Sequence, residues 1–308
     1  MYYSYAKFLG KDLGYFRLFG GFGLCNLLFD WARFIVATRK YDLIPISPTW
    51  IQLKLGPLLR GEVDKRFYSN LFCTPQDQIS GIKKLYLLNT LKRITSQEFY
   101  DKTHTNDKND YLVVFTGAYE KAFFSEILTD HKLVFKELLD LTLDQHKKGL
   151  THNFKGSISI HVRLGDFTQP TSDANALNGA WHCRIPLTWY IQQVNQIRSF
   201  VEREVPVYVF SDGKPNELAE LLALPNTTKM DFGSSIGDLL GLANSNVLIT
   251  SGSTFSMWAS YLGRMPVIWH KNQCRQRLYY EDSSLEVETD EAGNLSKEFL
   301  DKVAVRLK

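Results

Sequence analysis

From residue 156 onward, short β-branched apolar runs alternate with stretches whose apolar residues recur every three to four positions. Residues 156–162 (GSISIHV) read as a strand, while Tyr190, Val194, Ile197 and Val201 form the stripe of an amphipathic helix. VPVYVF (205–210) is a second strand, and a helix opening at Pro215 puts Leu218, Leu221 and Leu222 on one face. A short apolar-polar stretch at 230–232 precedes a helix around 238–243. NVLIT (246–250) predicts a buried strand, residues 253–262 a helix with Phe255, Trp258, Ala259 and Leu262 inward, and PVIW (266–269) a further strand. Strand and helix alternating at this spacing require a parallel sheet covered on both faces, so this half is expected to be Rossmann-like.

The first half carries weaker periodicity. A helix from 26 to about 38, a strand at 111–115 and a helix at about 131–141 are predicted, with polar loops between 95 and 110. GLTHNFK (149–155) breaks both periodicities. The expected organisation is therefore an α/β domain over 1–150 and a Rossmann-like domain over 151–295. Residues 296–308, with Phe299, Leu300, Val303 and Leu307 at helical spacing, are expected to pack back on the first domain.

Composition narrows the classes. With 308 residues, 44% hydrophobic and 22% charged, disorder, collagen and coiled coil are excluded. A net charge of +3, from 36 basic and 33 acidic residues that are scattered, argues against a nucleic-acid partner but suits a few anionic groups such as one nucleotide diphosphate. Cys25, Cys73, Cys183 and Cys274 form no CxxC pair, so they read as reduced thiols in a cytoplasmic protein, without a zinc site. Lys7, Lys11, Asp12, Arg17, Asp30 and Arg33 interrupt the aromatic opening before it reaches the length of a membrane span. That opening is either a packed element or a peripheral contact with the inner face of a membrane.

Candidate chemistry gathers at three predicted strand ends: HVRLGD (161–166), SDG (211–213) and TSGST (250–254), the last running straight into a helix. In an open parallel sheet, ligands bind outside the carboxyl ends of the strands. An arginine, small hydroxyls and a helix N-terminus suit a phosphate. Each cluster also has a purely structural reading: Ser253 as an N-cap, Asp212-Gly213 as a turn, Arg163 as an ion pair with Asp166, His161 as a core histidine.

These segments resemble a known family. HVRLGDF (161–167) is similar to the HxRRGDY motif of glycosyltransferase family 11, the α-1,2-fucosyltransferases, a motif shared with α-1,6- and protein O-fucosyltransferases. DLLGLANSNVLITSGSTFSMWASYLG (238–263) resembles that family's acidic residue, helix, apolar strand and SSFSWWAAWL, and GLCNLLFDWA (23–32) is similar to its GLGNQMFQYA. With FSDG (210–213), the resemblance runs from about residue 20 to 270 in the family's order. It implies a GT-B-like fold of two Rossmann-like α/β domains facing across a cleft, a GDP-fucose donor, a carbohydrate acceptor, inversion at the anomeric carbon, and no cofactor or metal. It further implies that Arg163 holds the diphosphate, His161 and Asp238 face the guanine, and Ser253 and Thr254 bind the β-phosphate. Ser211, Asp212 and Phe255 would complete the donor side, with Gly23, Asn26 and His182 toward the acceptor.

Leu164 stands where the family has a second arginine, and Cys25 where it has a glycine. A transferase using another nucleotide sugar and a non-catalytic nucleotide-sugar-binding scaffold are the alternatives these departures favour. A nicotinamide enzyme lacks its GxGxxG. For the general base the candidates are Asp166, Asp173, His182 and Asp30.

Overall fold

In the computed structural model, residues 1–53, 67–102, 109–117, 123–168 and 178–308 are described. The chain divides between Asp144 and Gln145 into two units, a few residues before the 149–155 stretch.

The N-terminal unit contains β1 (Tyr2–Ala6), β2 (Lys11–Asp12), β3 (Arg17–Leu18), α1 (Leu24–Tyr41), β4 (Ile44–Ile46) and β5 (Gln52–Leu53). It continues with α2 (Gly81–Thr90), β6 (Lys92–Thr95), α3 (Ser96–Tyr100), β7 (Tyr111–Phe115) and α4 (His131–Leu141). Its main sheet is parallel in the order β4-β1-β7-β6, with Tyr3 opposite Ile44 on one side and Leu112 on the other. Helix α1 is buried from Leu27 to Thr38, with Asp30, Arg33 and Thr38 among the buried residues, and it stops where Asp42 adopts the left-handed conformation behind Arg39 and Lys40. A second, small sheet, β2-β3-β5, leads the chain toward α1.

Beneath that small sheet lies a buried polar knot. Arg17, fully buried, donates to the carbonyls of Leu9 and Thr49. The Asp12 carboxylate accepts from Tyr5 Oη, Thr49 Oγ1 (2.8 Å) and the Gly14 amide (2.7 Å), and pairs with Lys84 at 3.3 Å. Burial pushes the Asp12 pKa up, but Lys84 and these donors outweigh it and hold the group low. The charges that the sequence places as interruptions of an aromatic opening are thus partly interior.

The C-terminal unit contains α5 (Lys148–Thr151), β8 (Ile158–Val162), α6 (Leu187–Val201), β9 (Val207–Ser211), α7 (Ala219–Leu222) and β10 (Thr227–Met230). It continues with α8 (Ser235–Ala243), β11 (Leu248–Ile249), α9 (Thr254–Gly263), β12 (Val267–Trp269), β13 (Glu286–Glu288) and α10 (Lys297–Leu307). All six strands are parallel, in the order β10-β9-β8-β11-β12-β13. The central strands are buried on both faces, which is why they appear in the sequence as uninterrupted apolar runs.

Several expectations need adjustment. The stretch at 230–232 is the tail of β10 and the turn after it. Residues 95–110 hold the short α3, whose Thr95 and Glu98 form a reciprocal capping box. On α9 the buried face includes Trp258, Ala259 and Leu262, but Phe255 is only half-buried. Helix α10 packs against α6, and Phe299, Val303 and Leu307 join the core cluster of Ile158, Val205 and Ile197. Its apolar stripe is buried within the core of the C-terminal unit.

Helix α5 lies against α8 through Gly149, and a Cβ there would stand 2.6 Å from Gly241 Cα and 2.7 Å from the Gly237 carbonyl oxygen. Both obstacles are backbone, which cannot rotate away. Gly149→Ala is expected to lower stability by about 2 kcal/mol or more, read as a fall in the denaturation midpoint; an unchanged midpoint would show that α5 is loosely seated.

Candidate active site

Strand order reverses between β8 and β11. From β8 the chain builds outward through β9 and β10, then returns to lay β11, β12 and β13 on the other side. The crevice at such a reversal is the ligand site of open parallel sheets. Here it receives the ends of β8 and β11, with β9 beside them.

At the end of β8, the Arg163 guanidinium is gripped by two carboxylates, Asp212 Oδ2 at 2.7 Å and Asp166 Oδ1 at 2.6 Å. Asp212, just after β9, also accepts from the Leu164 amide through Oδ1 at 2.9 Å. Gly165 permits this approach, because a Cβ there would run into Asp212 Oδ2. The loop is braced from below by Arg184, whose Nε donates to the carbonyls of Leu164 and Phe167, each at 2.9 Å. Arg163 keeps 24% of its side chain exposed and lies over the Phe167 ring, 5.7 Å from its centroid. Leu164 is buried in the core of the unit, so the position of the family's second arginine faces inward here.

His161, one pleat earlier, is buried. Its Nδ1 is within hydrogen-bonding distance of Ser256 Oγ (2.8 Å), Ser251 Oγ (3.0 Å) and Ser253 Oγ (3.4 Å), and its ring stacks on Phe255 at 4.8 Å. Burial pulls its pKa down to about 3, against the opposing influence of the Asp212 carboxylate and assisted by Arg163. The imidazole is therefore neutral, and it ties β8 to the turn that starts α9. Ser253 caps that helix, accepting from the Ser256 amide at 3.3 Å, and Thr254 is its first residue.

Ser211 ends β9 and accepts from the Gly213 amide at 3.0 Å. Asp238 stands in the first turn of α8, beyond β10, where Oδ1 accepts from the Phe232 amide at 2.7 Å. Burial raises its pKa to about 7, more than that amide lowers it. His182 is exposed; its carbonyl accepts from the Thr168 amide at 2.8 Å and its ring meets Phe167 edge-on at 5.4 Å. Asp166, His161, Arg163, Asp212, Ser253 and His182 are thus linked through the β8 loop. Gly23, at the N-cap of α1, with Asn26 in its first turn and Asp30 buried in the second, belongs to the N-terminal unit. Asp173 lies outside the described residues. Ser256 and Arg184 were not anticipated: their partners are 95 and 20 residues away in sequence, and no local pattern announces such pairs.

Among the described residues no three His, Cys, Asp or Glu side chains gather as a metal site, and no helix is long and apolar enough to cross a membrane.

Comparison with known proteins shows the family. Residues 82–280, well over half of the chain, match glycosyl transferase family 11; the chain belongs to that family and is a glycosyltransferase. The main parallel sheets of its two units bear out the expected α/β class. Among solved structures, the chain is similar to the α-1,6-fucosyltransferase NodZ soaked with GDP-fucose (12% identity over 86% of this chain and 93% of that one, TM-score 0.49). It is also similar to POFUT1 in complex with GDP (11%, 86% and 96%, TM-score 0.49) and to an Arabidopsis thaliana FUT1 mutant in complex with GDP (13%, 84% and 70%, TM-score 0.46). No curated protein matches the sequence.

A histidine that protonates near pH 6.5 when unfolded and only near pH 3 when folded stabilises the fold above pH 6.5 and loses that contribution as pH falls. The loss approaches about 1.4 kcal/mol per pH unit below that point. Urea melts at about pH 7 and about pH 5.5 should show wild-type stability falling by roughly 1 kcal/mol more than that of His161→Gln. Equal losses would contradict a buried neutral His161.

Proposed function

We propose that the C-terminal unit binds GDP-fucose and that the enzyme transfers fucose, with inversion and without a metal, to a hydroxyl of an oligosaccharide or surface polysaccharide in α-1,2 linkage. The observation that carries this reading is the placement of Arg163. Its guanidinium stands at the strand-order reversal, held by Asp212 and two residues beyond His161, whose ring bonds to Ser256 in the first turn of α9. As the glycosidic bond breaks, negative charge develops on the β-phosphate. A preset guanidinium and the first amides of a helix stabilise it there.

Extent supports the same ligand. Asp238 follows β10, two strands from β8, roughly 10 Å at ordinary strand spacing. That separation suits a nucleoside diphosphate with its phosphates at β8 and β11 and its base toward α8. A carboxylate at Asp238 accepts from guanine N1 and N2 hydrogens, a pair of donors that uracil and adenine do not present.

The resting charge balance of the loop shapes the mechanism. One guanidinium between two carboxylates carries net negative charge, which opposes an incoming diphosphate. Asp212 is fixed by the Leu164 amide, whereas Asp166 is the more exposed of the two, at 40% against 30%. The diphosphate therefore displaces Asp166 and keeps Asp212. Because Asp166 pairs with the guanidinium assigned to the leaving diphosphate, we leave the acceptor's proton to the remaining candidates, His182, Asp173 and Asp30.

Arg163→Ala is expected to reduce transfer about 100- to 1,000-fold, the usual loss on removing one preorganised charge-stabilising donor. Lys should rescue it poorly, lacking the bidentate fork. Near-wild-type turnover of folded Arg163→Ala would overturn the diphosphate assignment.

GDP should raise the melting temperature more than equal UDP or ADP. Because Asp238 must be ionised to accept both guanine donors, GDP affinity should rise with pH about ten-fold between pH 6 and 8, centred near 7. A UDP-selective shift would sink the guanine reading, and a flat pH profile would remove Asp238 from it.

A further inference from the structure

We propose that Trp181 is a stacking platform for a pyranose ring of the acceptor, a subsite that rests on the transferase reading above. Of the six tryptophans, five are at most 7% exposed; Trp181 is 50% exposed. It stands at the carboxyl edge of the sheet rather than on an outer helix. A large aromatic left at the surface forgoes the burial that normally places it inside, and here the fold also fixes its position.

The Arg275 guanidinium lies over the indole, 4.4 Å from the ring centroid, an arrangement that sets the plane of the ring. Arg275 is itself held, donating to the carbonyls of Gly179 (2.7 Å) and Ala180 (3.0 Å) and to Gln273 Oε1 (2.9 Å). Gln273 is 1% exposed and packs against Gly252, in the turn that leads into α9. The platform is thereby anchored to the turn that carries Ser253.

The same segment is laced to the Arg163 loop. Thr168 donates its amide to the His182 carbonyl at 2.8 Å, and Arg184 donates its amide to the Thr168 carbonyl at 3.0 Å. Ring contacts lead stepwise outward: Arg163 to Phe167 at 5.7 Å, Phe167 to His182 at 5.4 Å, His182 to Trp181 at 6.3 Å. Trp181 thus stands within the span of a short oligosaccharide from the group assigned to the leaving diphosphate. A pyranose shows C–H groups on its faces and hydroxyls around its rim. A rigid indole offers it a wide contact surface at small cost in side-chain entropy.

The test uses the whole protein and four probes long enough to reach from the platform toward Arg163, the methyl glycosides of lactose, cellobiose, N,N′-diacetylchitobiose and mannobiose. In a protein labelled with ¹⁵N at the indoles, the Trp181 signal is the one missing from Trp181→Phe. At least one glycoside should shift that signal. Trp181→Ala should raise the glycoside concentration for half-maximal GDP release from GDP-fucose about ten-fold, roughly 1.4 kcal/mol. Trp181→Phe, which keeps a smaller ring, should raise it less. The melting-temperature rise caused by GDP reports the donor pocket separately. With that rise normal, an unmoved Trp181 signal, or an equal glycoside requirement in Trp181→Ala and wild type, overturns the platform alone. Absence of any GDP-induced rise in the wild type overturns the transferase reading and the platform with it.

Discussion

Asp212 joins two strand ends that the parallel sheet only brings near each other. One of its oxygens holds the Arg163 guanidinium and the other the Leu164 amide, so the loop after β8 is pinned to the loop after β9. The remaining features of the site depend on that pin. Gly165 is needed because the carboxylate passes where a Cβ would be, and Arg184 closes the loop from the other side through two carbonyls. Asp166 holds the same guanidinium at 2.6 Å; on the proposed reading the diphosphate takes the place of Asp166, and Asp212 then keeps the charge preset, so that little reorganisation is needed as the leaving group develops its own.

The C-terminal half was legible because its physics is local. Strands buried on both faces must be apolar throughout, and the helices between them must be amphipathic, so β8, β9, β11 and β12 stand out by composition alone. The first half resists the same reading for identifiable reasons. β1 carries Ser4 in its middle, fully buried but hydrogen-bonded to Thr38 Oγ1 at 2.8 Å; β4 is only Ile44–Ile46; and β6 reads Lys-Arg-Ile-Thr on the edge of its sheet. None of these gives a periodic signal. The capping box at Thr95 and Glu98 was readable and marks α3, but that helix is five residues long.

The site divides along the same line. Arg163, Asp212 and Ser253 were legible because a residue at a strand end or helix start is identifiable from its neighbours in sequence. The hydroxyl cage around His161 was not, because Ser256 reaches it only once β11 lies beside β8. The family's second arginine is replaced by Leu164, whose side chain lies in the core of the unit, so that on the proposed reading the diphosphate meets Arg163 and the start of α9.

The central claim is that Asp212 presets Arg163 while Asp166 occupies the place of the diphosphate. It is tested most directly by calorimetric titration of GDP into the wild type, Asp166→Asn and Asp212→Asn. Replacing the displaced carboxylate should tighten GDP, and replacing the fixed one should weaken it, each by about three- to ten-fold, or roughly 0.7 to 1.4 kcal/mol. Opposite signs would establish the division of labour between the two carboxylates. Shifts in the same direction, or none in either variant, would contradict it.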